Sequence, residues 1–102
     1  LNIMIEGLLR PLTDLSGVVS VHLVDRDGFV VFATGPAAGS DEIERWRTLV
    51  QTSANDATTT LVMENGYLIL SPVSPRTLAV KCDRRSNLGL VRRTINELQW
   101  PA

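Results

Sequence analysis

The stretch GVVSVHLVDRDGFVVFATG, Gly17 to Gly35, places two apolar runs on either side of Asp25, Arg26, Asp27 and Gly28. Two aspartates in a loop suggest a metal, so that reading is tested first by counting. A calcium loop of the EF-hand kind needs oxygen ligands at alternating positions, a glycine at position 6 and a bidentate Glu at position 12. With Gly28 at position 6, Leu23 falls at position 1 and Thr34 at position 12; with Asp25 at position 1, Pro36 falls at position 12. The residues directly after Gly28, Phe-Val-Val-Phe-Ala, offer no side-chain oxygen, so neither frame makes a site. A turn explains more. The flanking runs are rich in β-branched and aromatic residues, as strands are. Asp27-Gly28 is a hairpin signal, because Gly accepts positive φ and Asp tolerates it. A loop of two or four residues here puts Val19, Val21 and Leu23 on one face with Val30 and Phe32. Val18, Ser20, His22 and Val24 share the other with Phe29, Val31 and Ala33. Both faces are largely apolar, which predicts a sheet covered on both sides.

The 102 residues fit one domain, residues 1–102, long enough to build a core without disulfides or metal. A net charge of −1 and a pI near 5.7 give no bulk attraction to nucleic acid or anionic lipid. The one cysteine, Cys82, has no internal partner, which fits a reducing, cytoplasmic setting. No apolar run approaches the roughly 20 residues that span a bilayer. The opening LNIMIEGLLRPL lacks a positive leader, so no signal peptide is expected, although the first residue is Leu.

Helical spacing of Ile5, Leu8, Leu9, Leu12 and Leu15 predicts a first helix over 3–15, which Pro11 bends or restarts. Strands 18–24 and 29–34 follow. Ser40 or Asp41 caps a second helix from about Asp41 to Ala54, with Ile43, Trp46, Leu49, Val50, Ser53 and Ala54 in one stripe and Arg45 and Arg47 flanking it. Thr59 to Glu64 and Tyr67 to Val73 make a second hairpin about Asn65-Gly66. Leu61, Met63, Leu68 and Leu70 line one of its faces. SPVSP is a wider connection to a fifth strand, Thr77 to Cys82. Ser86 or Asn87 caps a last helix with Leu88, Val91, Ile95 and Leu98 in a stripe. Gly89, inside that helix, suggests close packing on the sheet. The order is helix, hairpin, helix, hairpin, strand, helix: an α+β chain whose helices can cover both sheet faces in three layers.

This pattern resembles the Roadblock/dynein light chain superfamily, whose fold is profilin-like. The resemblance is carried by GVVSVHLVDRDGFVVFATG, by LVMENGYLILSPVS (Leu61 to Ser74), and by NLGLVRRTINEL (Asn87 to Leu98) after TLAVKC. It implies a five-stranded antiparallel sheet in the order 2-1-5-4-3, with the first and third helices on one face and the second on the other. It implies a non-enzymatic, dimeric interaction module that binds or regulates a Ras-like small GTPase, or a structural scaffold subunit of a motor or membrane-associated assembly. No catalytic residue, cofactor or metal is implied. In the family's dimer the paired second helices form a platform for the GTPase, which here matches the Asp41 to Ala54 helix.

Several residues then become candidates. The third strand is expected at a sheet edge, pairing with its copy, because TTTLVM carries no Pro, Lys or bulge to protect it. Thr59, Thr60, Leu61, Val62 and Met63 are the expected dimer interface, with Trp46 and Val50 beside them on a helix whose apolar arc, about 140° wide, exceeds one flat contact. Glu42, Arg45 and Leu49, at one margin of the arc, are the expected contacts to the GTPase. His22 is expected packed under a helix, since Ser20 and His22 point away from Asp25 and no nucleophile-bearing turn is present. Cys82 reads as structural. Arg84, Arg85, Arg92 and Arg93 read as a solvated face, without the interleaved aromatics of a single-strand nucleic-acid binder. Calorimetric titration with calcium and with magnesium should show no heat above dilution; a tight site that Asp27→Asn removes would overturn the turn reading.

Overall fold

A computed structural model describes residues 2–52 and 58–101. The elements are α1 (Asn2–Thr13), β1 (Val18–Val24), β2 (Val30–Thr34), α2 (Ser40–Thr52), β3 (Thr59–Met63), β4 (Gly66–Val73), β5 (Arg76–Asp83) and α3 (Leu88–Asn96). All strand pairs are antiparallel, and the sheet order is β2-β1-β5-β4-β3. The first and last strands therefore lie side by side within the sheet. The three-helix, five-stranded arrangement and its sheet order are those that the family resemblance implies.

Period-two alternation sorts the side chains into two cores. Val21, Leu23, Leu78, Val80, Cys82 and Ile69 meet Leu9 and Leu12 of α1 and Val91 and Ile95 of α3. On the opposite face Val24, Leu68, Leu70 and Ala79 meet Ile43 and Trp46 of α2. The helix pair thus seals one face, while α2 alone serves the other. Pro11 does not split α1; it is exposed and lies two residues before the helix ends. Asn87 caps α3, its side-chain oxygen accepting from the Leu90 N–H at 3.0 Å. Ser53 and Ala54, expected at the end of the second helix, lie outside the described residues.

The opening question is answered by the β1–β2 turn. The Asp25 Oδ1 accepts the N–H groups of Asp27 and Phe29 at 2.9 and 3.0 Å, and the Asp25 N–H donates to the Phe29 carbonyl at 2.9 Å. Gly28 takes a φ of +91°, the value for which glycine is used. One carboxylate of the pair thus serves the backbone of its own loop. The connection is longer than expected: Leu23 pairs with Phe32, but Val24 pairs with Val30, leaving Val31 as an extra residue. Val24 thereby opposes Val30, which the simple alternation had put on the other face. A second irregularity, between the Val18–Cys82 and Ser20–Lys81 pairs, leaves Val19 47% exposed instead of packed beside Val21.

The second hairpin departs in an instructive way. Its turn residues are Glu64 and Asn65, because Met63 pairs with Gly66 and Leu61 with Leu68. Pairing shifts by two residues from the expected register, so every side chain keeps its expected face. Gly66 is in the strand for a different reason from turn formation. A Cβ there would stand 2.0 Å from the Cys82 carbonyl oxygen. SPVSP is likewise tighter than expected, with Val73 paired to Arg76 across Ser74 and Pro75. Gly89 does not mark close packing on the sheet: it is exposed, and a Cβ would meet only Asn87 Oδ1, at 3.5 Å. The two glycines should respond oppositely in urea denaturation. Gly66→Ala should cost several kcal/mol or prevent folding, since β4 or β5 must move. Gly89→Ala should raise stability by roughly 0.4–1 kcal/mol through lower unfolded-state entropy and better helix propensity.

Candidate interaction face

The chemistry-bearing residues on the α2 side begin beneath the helix. His22 of β1 is buried, its ring centroid 5.4 Å from that of Trp46 at a tilted 58°. Lys81 of β5 approaches the same indole, Nζ lying 5.9 Å from the ring centroid, and forms an ion pair with Glu42 of α2. Trp46 is thus held between an imidazole and an ammonium stem and is only 2% exposed. Trp46, expected on a dimer seam, is buried beneath α2 in the single chain. Glu42, expected to meet a partner, pairs with Lys81 of the sheet within the single chain. Lys81 was missed in the sequence, although alternation with Leu78, Val80 and Cys82 places it on the α2 face with Ala79.

What α2 presents outward is a shallow hollow lined by Asp41, Glu44, Arg45, Thr48 and Leu49. Arg45 is exposed and makes no hydrogen bond or ion pair with the described residues. Leu49 is 37% exposed. Arg47 faces elsewhere, pairing with Glu44 at 2.7 Å and donating to the Arg26 carbonyl of the β1–β2 turn. Val50 is half-buried and packs against the α2 core together with Leu61 of β3, so the helix and the edge strand share a border.

Strand β3 is the last strand of the sheet among the described residues and pairs with β4. Beyond Leu61, Val62 is 78% and Met63 48% exposed, while Thr59 and Thr60 are half-buried. Two members of the arginine cluster fasten this strand. Arg84 donates to the Glu64 carbonyl at 3.0 and 2.6 Å, at the strand's end. Arg92 donates to Thr60 Oγ1 and to the Thr58 carbonyl, at its start. Arg85 and Arg93 are exposed without such bonds. Cys82 is buried, and that burial raises its thiol pKa, against nucleophilic chemistry.

His22 is the one histidine of the chain. Burial, and secondarily the Lys81 charge, lower its pKa, with Glu42 opposing. Its Nδ1 and the buried Ser20 Oγ have no hydrogen-bond partner among the described residues. Protonation therefore favours the unfolded chain, where a histidine titrates near about 6.5. Stability should be fully present above that value and fall as pH drops below it toward the lower folded value, with a slope of at most about 1.4 kcal/mol per pH unit. Urea melts between pH 5 and 7.5 check this: His22→Gln should remove that part of the slope, and an unchanged slope would place the titration elsewhere.

Comparison with known proteins places this geometry. No family model matches the sequence, and no curated protein matches it. Solved structures do. MglB of Myxococcus xanthus is similar with a TM-score of 0.76 at 20% identity, over 95% of this chain and 83% of that one. A Roadblock/LC7 domain from Streptomyces avermitilis gives 0.74 at 16% identity, over 96% and 90%. LokiProfilin2, solved in complex with rabbit actin, gives 0.66 at 16% identity, over 93% and 95%. At these identities the likeness is one of fold, and the chain has the Roadblock/LC7 domain fold.

Proposed function

We propose that this chain is a non-enzymatic module that forms a two-fold dimer through β3 and presents the outer face of α2 to a Ras-like small GTPase. The observation that carries the proposal is the state of β3. It is the last strand of the sheet among the described residues, its sequence has no Pro or Lys, and Val62 and Met63 are among the most exposed large apolar side chains. Antiparallel pairing with a second β3 extends the sheet and covers those side chains with one self-complementary surface. Leu61 and Val50 then stand at the seam, with Thr59 and Thr60 in the pairing strand and Trp46 bracing from beneath. The choice of a GTPase as partner follows the family resemblance, and Arg45 with Leu49 is the exposed part of the platform. Arginine anchors at interface hot spots often contribute about 2 kcal/mol or more.

Light scattering at micromolar concentration should report a dimer, and Val62→Lys, which alters a side chain the single chain leaves in water, should shift it toward monomer. A wild-type monomer sinks the proposal at its first step. In a protein still folded and dimeric, Arg45→Glu should weaken a cognate GTPase tenfold or more, on the order of 1.4 kcal/mol. A dimer that captures no GTPase from a pull-down, and instead co-purifies with a larger assembly, would favour the scaffold role.

A further inference from the structure

The end of the sheet that holds the β1–β2 and β4–β5 turns has arginines that neither the proposed dimer nor the α2 platform uses. Arg26 of the first turn, Arg47 of α2 and Arg76 at the start of β5 line one open hollow of about 400 Å³. Three separate elements thus each contribute an arginine to this lining, in a chain whose net charge is −1. One carboxylate joins them, that of Asp25, and its Oδ1 already accepts two backbone N–H groups. Arg47 is engaged by Glu44 and by the Arg26 carbonyl. The guanidiniums of Arg26 and Arg76 make no hydrogen bond or ion pair with the described residues. Val50, Pro72 and Pro75 supply apolar wall between them.

We infer that this hollow is a docking site for an acidic segment of a partner protein, with Arg26 and Arg76 each receiving a carboxylate. A guanidinium offers a planar fork of donors that matches a carboxylate, and the pairing is charge-assisted. The apolar wall suits the methylene stems of glutamates and the peptide between them. A free phosphate is the weaker match, because the described lining has no glycine-rich cradle of converging backbone N–H groups. Aromatic side chains, which single-stranded nucleic acid needs for stacking, are absent from the described lining. The inference does not depend on a GTPase at α2.

The test uses the full chain and a fluorescein-labelled synthetic peptide of alternating glutamate and alanine, followed by anisotropy. Saturable binding is expected, weakened about tenfold or more in Arg26→Ala/Arg76→Ala, as the loss of charge-assisted bonds implies. A control, Arg85→Ala/Arg93→Ala, removes the same charge from exposed positions and should change binding by less than about twofold. Equal losses in the two variants would reduce the effect to bulk charge and overturn the site. So would the absence of saturable binding. Saturable binding of inorganic phosphate at these arginines with no peptide binding would also overturn the acidic-segment assignment. Amide shifts in the unmodified protein give a reading independent of any variant: on peptide addition they should concentrate at Arg26, Arg76 and Thr77, and a spread over α3 would contradict the proposal.

Discussion

The antiparallel pairing of β1 with β5 is the contact on which the rest of the molecule depends. It joins the ends of the chain: Val21 faces Val80 and Leu23 faces Leu78, across a gap of more than fifty residues. Closing so long a loop costs entropy, and the return comes from burial on both sides of the same two strands. Leu78 and Val80 point to α1 and α3, while Ala79 and His22 point to α2. Each hairpin is then an extension of this pair, β2 outward from β1 and β4 with β3 outward from β5. The order of the sheet follows, and so does the location of its two edges.

The two faces are sealed unequally, and that inequality connects fold to function. Two helices cover one side. On the other, α2 buries only Ile43 and Trp46 fully. Position along the sheet matters as well, because α2 rests over β4 and β5, leaving β3 at its border with Leu61 and Val50 only half-buried. An edge strand that leaves Val62 and Met63 exposed beside a partly covered helix is the feature on which the proposed dimer rests. Arg84 and Arg92 hold β3 at both ends without covering its outer side. Such fastening reduces the entropy that the strand would lose on pairing, which favours association over fraying.

Much of this architecture was legible because it depends on parity and punctuation. Alternation in GVVSVHLV assigned Val21 and Leu23 to one core and His22 to the other, and Asn87 announced the start of α3. The β3–β4 hairpin kept its faces even though its turn fell at Glu64-Asn65, since a two-residue shift preserves parity. What escaped notice was whatever depends on contacts between distant elements. Gly66 reads locally as a turn glycine, and only the approach of the Cys82 carbonyl reveals why a side chain cannot stand there. Bulges at Val19 and Val31 arise where neighbouring strands need different lengths. Glu42 sits on a helix margin that looks exposed until Lys81, forty residues away, comes up from the sheet.

The Glu42–Lys81 pair also narrows the part of α2 that the proposed platform can use. An exposed ion pair contributes little, but this one is partly screened by the protein and has Trp46 beside it. Lys81 gains from both the carboxylate and the indole face, so breaking Glu42 away to meet a partner would forfeit contacts on two sides. Arg45 has no such commitment among the described residues, and its neighbour Arg47 is turned toward the β1–β2 loop. Within two helical turns, then, the structure divides three charged residues by where their energy is already spent: Glu42 inward to the sheet, Arg47 sideways to Glu44 and a loop carbonyl, and Arg45 to water. Only the last can give a partner its full charge-assisted bonding without first losing a bond inside the protein.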